Sequence, residues 1–229
     1  MSRGVGRPVE SVRWPPRLAS EVLSSVDAHV PGDGREARAR SRLAAELEDL
    51  ASPFDEQAGP VHVTGSAVVT GRRGVVLHMH KRLHRWLQPG GHLEPGEGPW
   101  DAALRESQEE TGLVLAHPVG GPRLLHVDVH GAAKGHTHLD LRYLLVAPDR
   151  DPAPPPGESP EARWFGWDEA TAVADEALLG ALRAARLQPE ALSVPECDLP
   201  DPTSPRSSRA IGEGPGPGTM EMTGGDDRG

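Results

Sequence analysis

The stretch from Gly91 to Leu113 reads G-H-L-E-P-G-E-G-P-W-D-A-A-L-R-E-S-Q-E-E-T-G-L. Glu106, Glu109 and Glu110 are three and four residues apart, so in a helix they share one face. Like charges at this spacing repel each other and destabilise a helix. A divalent cation offsets that repulsion, and carboxylate oxygens are ligands that suit Mg²⁺ or Mn²⁺. The stretch therefore predicts a helix whose acidic face binds a metal ion.

The residues around these acids predict a loop that leads into the helix. Pro89-Gly90-Gly91 and Pro95-Gly96 are turn-forming sequences. Gly98 suits the N-cap position and Pro99 suits the first helical position. Gly112 can end the helix in a left-handed conformation. We expect the carboxylates to lie beside a glycine-rich loop whose backbone carbonyls can also reach a metal ion.

The same stretch resembles the Nudix box, G-x5-E-x7-R-E-U-x-E-E-x-G-U, in which U is a bulky apolar residue. The matching residues are Gly91, Glu97, Arg105, Glu106, Glu109, Glu110, Gly112 and Leu113. Ser107 departs from the pattern, because an apolar residue is usual at that position. The chain is therefore similar to Nudix hydrolases of the MutT-like type, and to bacterial members with an N-terminal helical extension.

The resemblance implies a role for each matching residue. The catalytic residues would be Glu106, Arg105 and Glu109, and the metal ligands would be Glu106, Glu109, Glu110 and the backbone carbonyl of Gly90. Glu106 or a neighbouring acid would activate water, while Arg105 would orient the acids. Glu97 would pair with Arg105 or join the outer shell of the metal. A salt bridge that ties the loop to the helix accounts for Glu97 and Arg105 equally well.

The predicted chemistry is hydrolysis of the phosphoanhydride bond of a nucleoside diphosphate linked to another moiety. A metal ion neutralises the charge that repels nucleophiles from a diphosphate, and a carboxylate takes the proton from water. Two alternatives remain open: a diphosphate isomerase of the Nudix fold, and a non-catalytic nucleotide-binding sensor. The resemblance leaves the substrate open among nucleoside triphosphates, oxidised nucleotides, ADP-ribose, dinucleotides and capped RNA ends.

Composition limits the partners of the protein. The chain has 229 residues and a formal net charge of −10, which argues against stable nucleic-acid binding, since that needs a basic surface. Its single cysteine, Cys197, excludes an intramolecular disulfide and fits a reducing cytoplasm. No apolar run resembles a signal peptide or a membrane span. We expect a cytoplasmic protein with a small nucleotide as substrate and no membrane association; a homodimer is an open option.

Three regions are predicted along the chain: an N-terminal helical extension (1–52), a Nudix hydrolase domain (53–190) and a disordered tail (191–229). Apolar spacing predicts a helical hairpin at 16–29 and 35–50, which could pack on the domain, cap the substrate site or mediate dimerisation. The tail is rich in proline, glycine, serine and aspartate, and cannot bury enough apolar surface to fold.

Periodicity alone supports a domain of mixed α and β structure. The predicted strands are 61–70, 74–80, 124–130, 136–146 and 162–167, and an alanine-rich helix is predicted at 168–187. The resemblance makes the fold class more specific: an α/β/α sandwich with a mixed central sheet.

Histidines and charged residues alternate with apolar residues along the third and fourth predicted strands. His126, Asp128 and His130 would share one sheet face with His138, Asp140 and Arg142 if the strands pair. That face is either solvated or lines the substrate cleft; His138, Asp140 and Arg142 are candidate substrate-binding residues, together with Lys81. A separate zinc site is disfavoured, because no compact set of ligands with the usual spacing is evident.

Overall fold

The computed structural model describes residues 16–159 and 161–188, so the predicted tail lies outside the described residues. The helices are α1 (Pro16–Ala28), α2 (Gly34–Asp49), α3 (Pro99–Thr111), α4 (Trp167–Val173) and α5 (Glu176–Arg186). The strands are β1 (Val61–Gly71), β2 (Gly74–Met79), β3 (Trp86–Leu87), β4 (Gly90–His92), β5 (Leu124–Gly131), β6 (Thr137–Val146) and β7 (Ala162–Phe165). No helix in this part of the chain is long and apolar enough to cross a membrane.

The strands form one mixed sheet of seven strands, which confirms the predicted fold class. β1 lies at its centre and runs parallel to β6 from the pair Val61–Thr137 to the pair Thr70–Val146. On its other side, β1 pairs antiparallel with β4 near its start and with β2 near its end. β5 pairs antiparallel with β6, as the sequence predicts. The short strand β4 thus occupies the sheet position beside the start of β1, and it also contacts α3.

Helices cover both faces of the sheet. One face packs on α1, α2 and α3 through β1 residues that include Val63 and Val69. The other packs on α4 and α5 and receives Val68. The α3 helix lies very close to β1 at Gly65, where an added Cβ would be 2.2 Å from the carbonyl oxygen of Pro99. Only glycine permits this approach, which sets the distance between the acidic helix and the sheet.

The N-terminal helical hairpin packs on the domain. Asp33 caps α2 by accepting hydrogen bonds from the backbone N–H groups of Arg35 and Glu36. The buried Glu36 carboxylate accepts a hydrogen bond of 2.9 Å from the backbone N–H of Val127 on β5. Burial alone would raise the pKa of Glu36, but hydrogen bonds from His29 and the backbone lower it to about 2. The hairpin therefore docks on β5 through apolar packing and an ionised carboxylate.

The predicted helix at 168–187 is wrong in one respect, because the structure divides it into α4 and α5. Ala174 is extended (φ −72°, ψ 140°) and ends α4. The Asp175 carboxylate then accepts a hydrogen bond of 2.9 Å from the backbone N–H of Leu178. Aspartate favours such a cap over a helix interior, which explains the break.

Candidate active site

The glycine loop lies directly against α3. The backbone N–H of Gly90 donates a hydrogen bond of 2.9 Å to Oε2 of Glu110. A Cβ at Gly90 would lie 2.3 Å from Cβ of Ser66, and one at Gly91 would lie 2.5 Å from Cδ of Glu106. The two glycines therefore let β4 fit between β1 and the acidic face of the helix. The ends of α3 are as predicted: Gly98 is the N-cap, and Gly112 has a left-handed φ of 68°.

Arg105 connects the loop to the acids. Its Nε and Nη2 donate to the two carboxylate oxygens of Glu97, at 2.9 Å and 3.0 Å. Its Nη1 lies 2.8 Å from Oε1 of Glu106 and 3.4 Å from Oε2 of Glu109. Nη2 also donates to the backbone carbonyl of His92 at 2.9 Å. The salt bridge between loop and helix is thus formed, and the same guanidinium contacts two of the predicted metal ligands.

The three acids differ in environment. Burial raises the pKa of Glu110 to about 8, and the negative charges of Glu106 and Glu158 add to the effect. Burial also raises the pKa of Glu106, although the hydrogen bond from Arg105 opposes it. The side chain of Glu109 is 54% exposed. Buried carboxylates whose charge is disfavoured are stabilised by a cation, so this oxygen-donor set fits Mg²⁺ or Mn²⁺.

Lys81 lies in the loop between β2 and β3. Its Nζ donates to the carbonyl oxygen of Gly157 and lies 3.8 Å from Oε2 of Glu158. Its positive charge acts to lower the pKa of Glu110, as expected of a cation at the edge of the acid site. The predicted role of Lys81 in substrate binding is compatible with this position and stays a prediction.

The sheet face that carries Asp140 and Arg142 is buried, so the solvated alternative is wrong for these two residues. Asp140 is 3% exposed and Arg142 is 2% exposed. The guanidinium of Arg142 donates to the carboxylates of Asp140 and Asp128 at 2.9 Å and 3.0 Å, and to the carbonyl of Ala177 at 2.8 Å. The α5 helix therefore covers this part of the face. The predicted substrate-binding role of both residues stays a prediction.

The structure corrects the expectation that no compact set of ligands exists for a separate zinc site. Ring nitrogens of His62, His92 and His138 all lie within 4.8 Å of one another. Within residues 16–159 and 161–188, no other group of three histidine, cysteine or acidic residues converges as closely. The three glutamates of α3 are not such a group: Glu110 turns to Gly90, while Glu106 and Glu109 turn to Arg105.

Several residues of this region were missed from the sequence. Thr64 and Ser66 donate hydrogen bonds to the carboxylate of Asp140, at 3.0 Å and 2.8 Å. Oε2 of Glu56 lies 3.1 Å from Nδ1 of His92. His62 stands alone among apolar and small residues in the sequence. The parallel register of β1 and β6 pairs His62 with His138 and Thr64 with Asp140, and the sequence alone does not give that register.

Comparison with protein families gives one domain match. The family model described as the NUDIX domain matches residues 60–185. The match begins just before β1 and ends within α5, and it includes the whole acidic helix. The helical hairpin lies before the matched residues.

The chain is also similar to curated proteins and to a solved structure. An asymmetrical bis(5′-nucleosyl)-tetraphosphatase of Caenorhabditis elegans is 30% identical over 103 residues, which cover 43% of this chain and 71% of the relative. A probable DHNTP pyrophosphohydrolase of Lactococcus lactis subsp. cremoris (strain MG1363) is 32% identical over 145 residues, which cover 58% of this chain and 82% of the relative. A solved NUDIX-family hydrolase from Clostridium perfringens is 27% identical, with a TM-score of 0.46, and the match covers 54% of this chain and 95% of that structure.

Proposed function

Because the chain belongs to the NUDIX family and is a Nudix hydrolase, we propose that it is a Mg²⁺-dependent pyrophosphohydrolase. Its substrate is a nucleoside diphosphate linked to a further phosphate or another moiety, and the phosphoanhydride bond is cleaved. The observation that carries the proposal is the acid face of α3 against the glycine loop, with Glu106 and Glu110 partly buried and with Arg105 in contact with both Glu106 and Glu109.

Glu106, Glu109, Glu110 and the backbone carbonyl of Gly90 would hold the metal ion. When bound, Mg²⁺ would neutralise charge on the phosphate oxygens and lower the pKa of water. Mn²⁺ has the same ligand preferences and could replace it.

Glu106 is the proposed base that takes a proton from the attacking water. A carboxylate with a raised pKa is the better base near neutral pH, and burial raises the pKa of Glu106. Arg105 restrains the carboxylate of Glu106, because the guanidinium is itself held by two hydrogen bonds to Glu97. Arg105 is therefore proposed to position the base, and Glu109 to share that work from the exposed side.

The relatives suggest a substrate with a chain of phosphates. One is named a tetraphosphatase, one a probable pyrophosphohydrolase of DHNTP and one an RNA pyrophosphohydrolase. In this chain Lys81 and His138 are partly or fully exposed, so they can meet the phosphates directly. The buried Asp140 and Arg142 would need the cleft to open before they touch the substrate.

The test is a screen of nucleoside triphosphates, dinucleoside polyphosphates, ADP-ribose and capped RNA, with Mg²⁺, in ¹⁸O-labelled water. Mass spectrometry of the products identifies the bond that is cleaved and the phosphorus that is attacked. Glu106→Gln should lower kcat about 100-fold or more, which is the size of a general-base contribution. Glu110→Gln should abolish Mg²⁺-dependent turnover.

Glu48→Gln is the matched control, because Glu48 is an exposed glutamate on α2 and is not one of the proposed ligands. It should retain wild-type turnover. An inactive wild-type protein that binds a nucleotide tightly would overturn the proposal and favour the sensor. Activity that survives in Glu110→Gln would overturn the assignment of the acids.

A further inference from the structure

We propose that His62, His92 and His138 form a second metal site, which binds a Zn²⁺-class transition-metal ion and is separate from the carboxylate site on α3. The inference rests on the three rings, their partners and their opening to solvent. It does not depend on the proposed hydrolase activity.

Three strands bring the ligands together. His62 lies on β1 and pairs in register with His138 on β6. His92 lies on β4, which pairs with β1 so that Thr64 faces His92. The ring centroid of His62 lies 5.1 Å from that of His92 and 5.0 Å from that of His138. Because the sheet sets these positions, the site is built into the strands of the fold.

The separations suit a metal ion. One nitrogen from each ring lies within 4.8 Å of the other two. An ion at the centre of such a triangle is at most about 2.8 Å from each nitrogen, whereas zinc binds imidazole at about 2.1 Å. Each ring must therefore move inward by less than about 1 Å. Imidazole also selects zinc and its neighbours over Mg²⁺, which prefers oxygen ligands.

His62 provides the strongest indication of a missing partner. The residue is fully buried, and its Nε2 has no hydrogen-bond partner among the described residues. Buried polar atoms are nearly always satisfied, so this nitrogen needs an explanation. Its Nδ1 lies 3.4 Å from the carbonyl oxygen of Gly59. A proton on Nδ1 leaves the lone pair of Nε2 free for a metal ion, which is the usual outer-shell arrangement of a ligating histidine.

The surroundings of His92 and His138 also support metal binding at this cluster. Nδ1 of His92 lies 3.1 Å from the Glu56 carboxylate, a common outer-shell partner that orients a ligating ring. The ring centroid of His138 lies 5.1 Å from that of His92, so these two rings are as close together as the pairs that His62 makes. The side chain of His92 is 41% exposed. Three histidines with one side open to solvent leave a fourth position for water or a phosphate oxygen.

The site adjoins the carboxylates through a single short strand. Gly90 and His92 are the two ends of β4, and the carbonyl of His92 accepts from Arg105. Two chemically different metal sites thus share one structural support: oxygen donors on the helix and nitrogen donors on the sheet.

The experiment is isothermal titration of the full-length, untagged, chelator-treated protein with Zn²⁺ in saturating Mg²⁺, which masks the carboxylates. We expect one Zn²⁺ per chain. His92→Gln and His138→Gln should each weaken binding by about 100-fold or more. Glu56→Gln, which removes an outer-shell partner, should weaken it by about 10- to 100-fold. Circular dichroism checks that each variant is folded.

Two controls separate this site from the rest of the chain. His84→Asn changes an exposed histidine in a left-handed position that asparagine tolerates, and it should bind Zn²⁺ as the wild type does. Cys197→Ser should also leave binding unchanged. The proposal is overturned if the wild type takes up no Zn²⁺, in which case the cluster is ring packing alone. It is equally overturned if His92→Gln and His138→Gln retain full affinity.

Discussion

Gly65→Ala tests whether the close approach of α3 to β1 sets the geometry of the acids. The added methyl group would lie 2.2 Å from the carbonyl oxygen of Pro99 and 3.0 Å from the backbone nitrogen of Ala103. Ordinary contact begins at 3.4 Å, so the helix must retreat by about 1 Å. Overpacking of this kind typically costs about 1–3 kcal/mol. A misplacement of about 1 Å can also lower turnover about 100-fold.

Two measurements check this reasoning. Urea unfolding should show a loss of about 1–3 kcal/mol in the free energy of unfolding. Steady-state kinetics on the substrate found in the screen should show kcat/KM reduced by about 100-fold. Gly131→Ala is the matched control, because a Cβ there meets nothing within 4 Å. The reasoning is refuted if Gly65→Ala matches Gly131→Ala in both stability and turnover.

Two further predictions concern buried charge. Arg142→Met should lower the free energy of unfolding by about 3–5 kcal/mol, because it removes the cation that contacts two buried carboxylates; adding Asp140→Asn should recover part of the loss, and chemical denaturation measures both. Stability should also fall as the pH decreases from 6.5 towards 4. Burial and the charge of Arg142 lower the pKa of His126 from 6.5 to about 4, so the unfolded chain binds the extra proton in that window. At 1.36 kcal/mol per pKa unit, the protonation of His126 in the unfolded chain should lower the free energy of unfolding by about 3 kcal/mol between pH 6.5 and 4. His126→Leu should flatten the slope by one proton, and an unchanged slope would exclude this residue as its source.

The sequence was sufficient for the parts of the fold that depend on local signals. Turn residues mark both ends of α3, and the predicted strands at 61–70 and 74–80 agree with β1 and β2 to within one residue. The alternation of polar and apolar residues predicts β5 and β6, each with an error of one residue at one end. The break between α4 and α5 was missed, because the alanine-rich periodicity continues past it, although Asp175 is of a residue type that favours helix N-caps.

In the candidate site, too, the sequence predicted the residues that are close together in the chain, but not the contacts between distant elements. Helical spacing was enough to group Glu106, Glu109 and Glu110, whereas Arg105 and Glu97 were assigned to the site through the resemblance to the Nudix box. The burial of Asp140 and Arg142 depends on α5, which follows β6 in the chain and returns to cover the sheet. Alternation shows that residues share a face, but it does not show what covers that face.

The histidine cluster was hidden for a related reason. His62 and His138 are far apart in the chain and meet only because β1 and β6 are parallel and in that register, and a shift of one residue would turn one ring to the opposite face. Metal sites from loops and helices leave a spacing that can be read in the sequence, whereas a site built across neighbouring strands does not. The two proposed sites thus differ in how they are encoded: the carboxylates by spacing along a helix, and the histidines by strand register. A Zn²⁺ site at the histidines would therefore depend on the sheet remaining intact around β1, while the Mg²⁺ site would depend on how closely α3 approaches it.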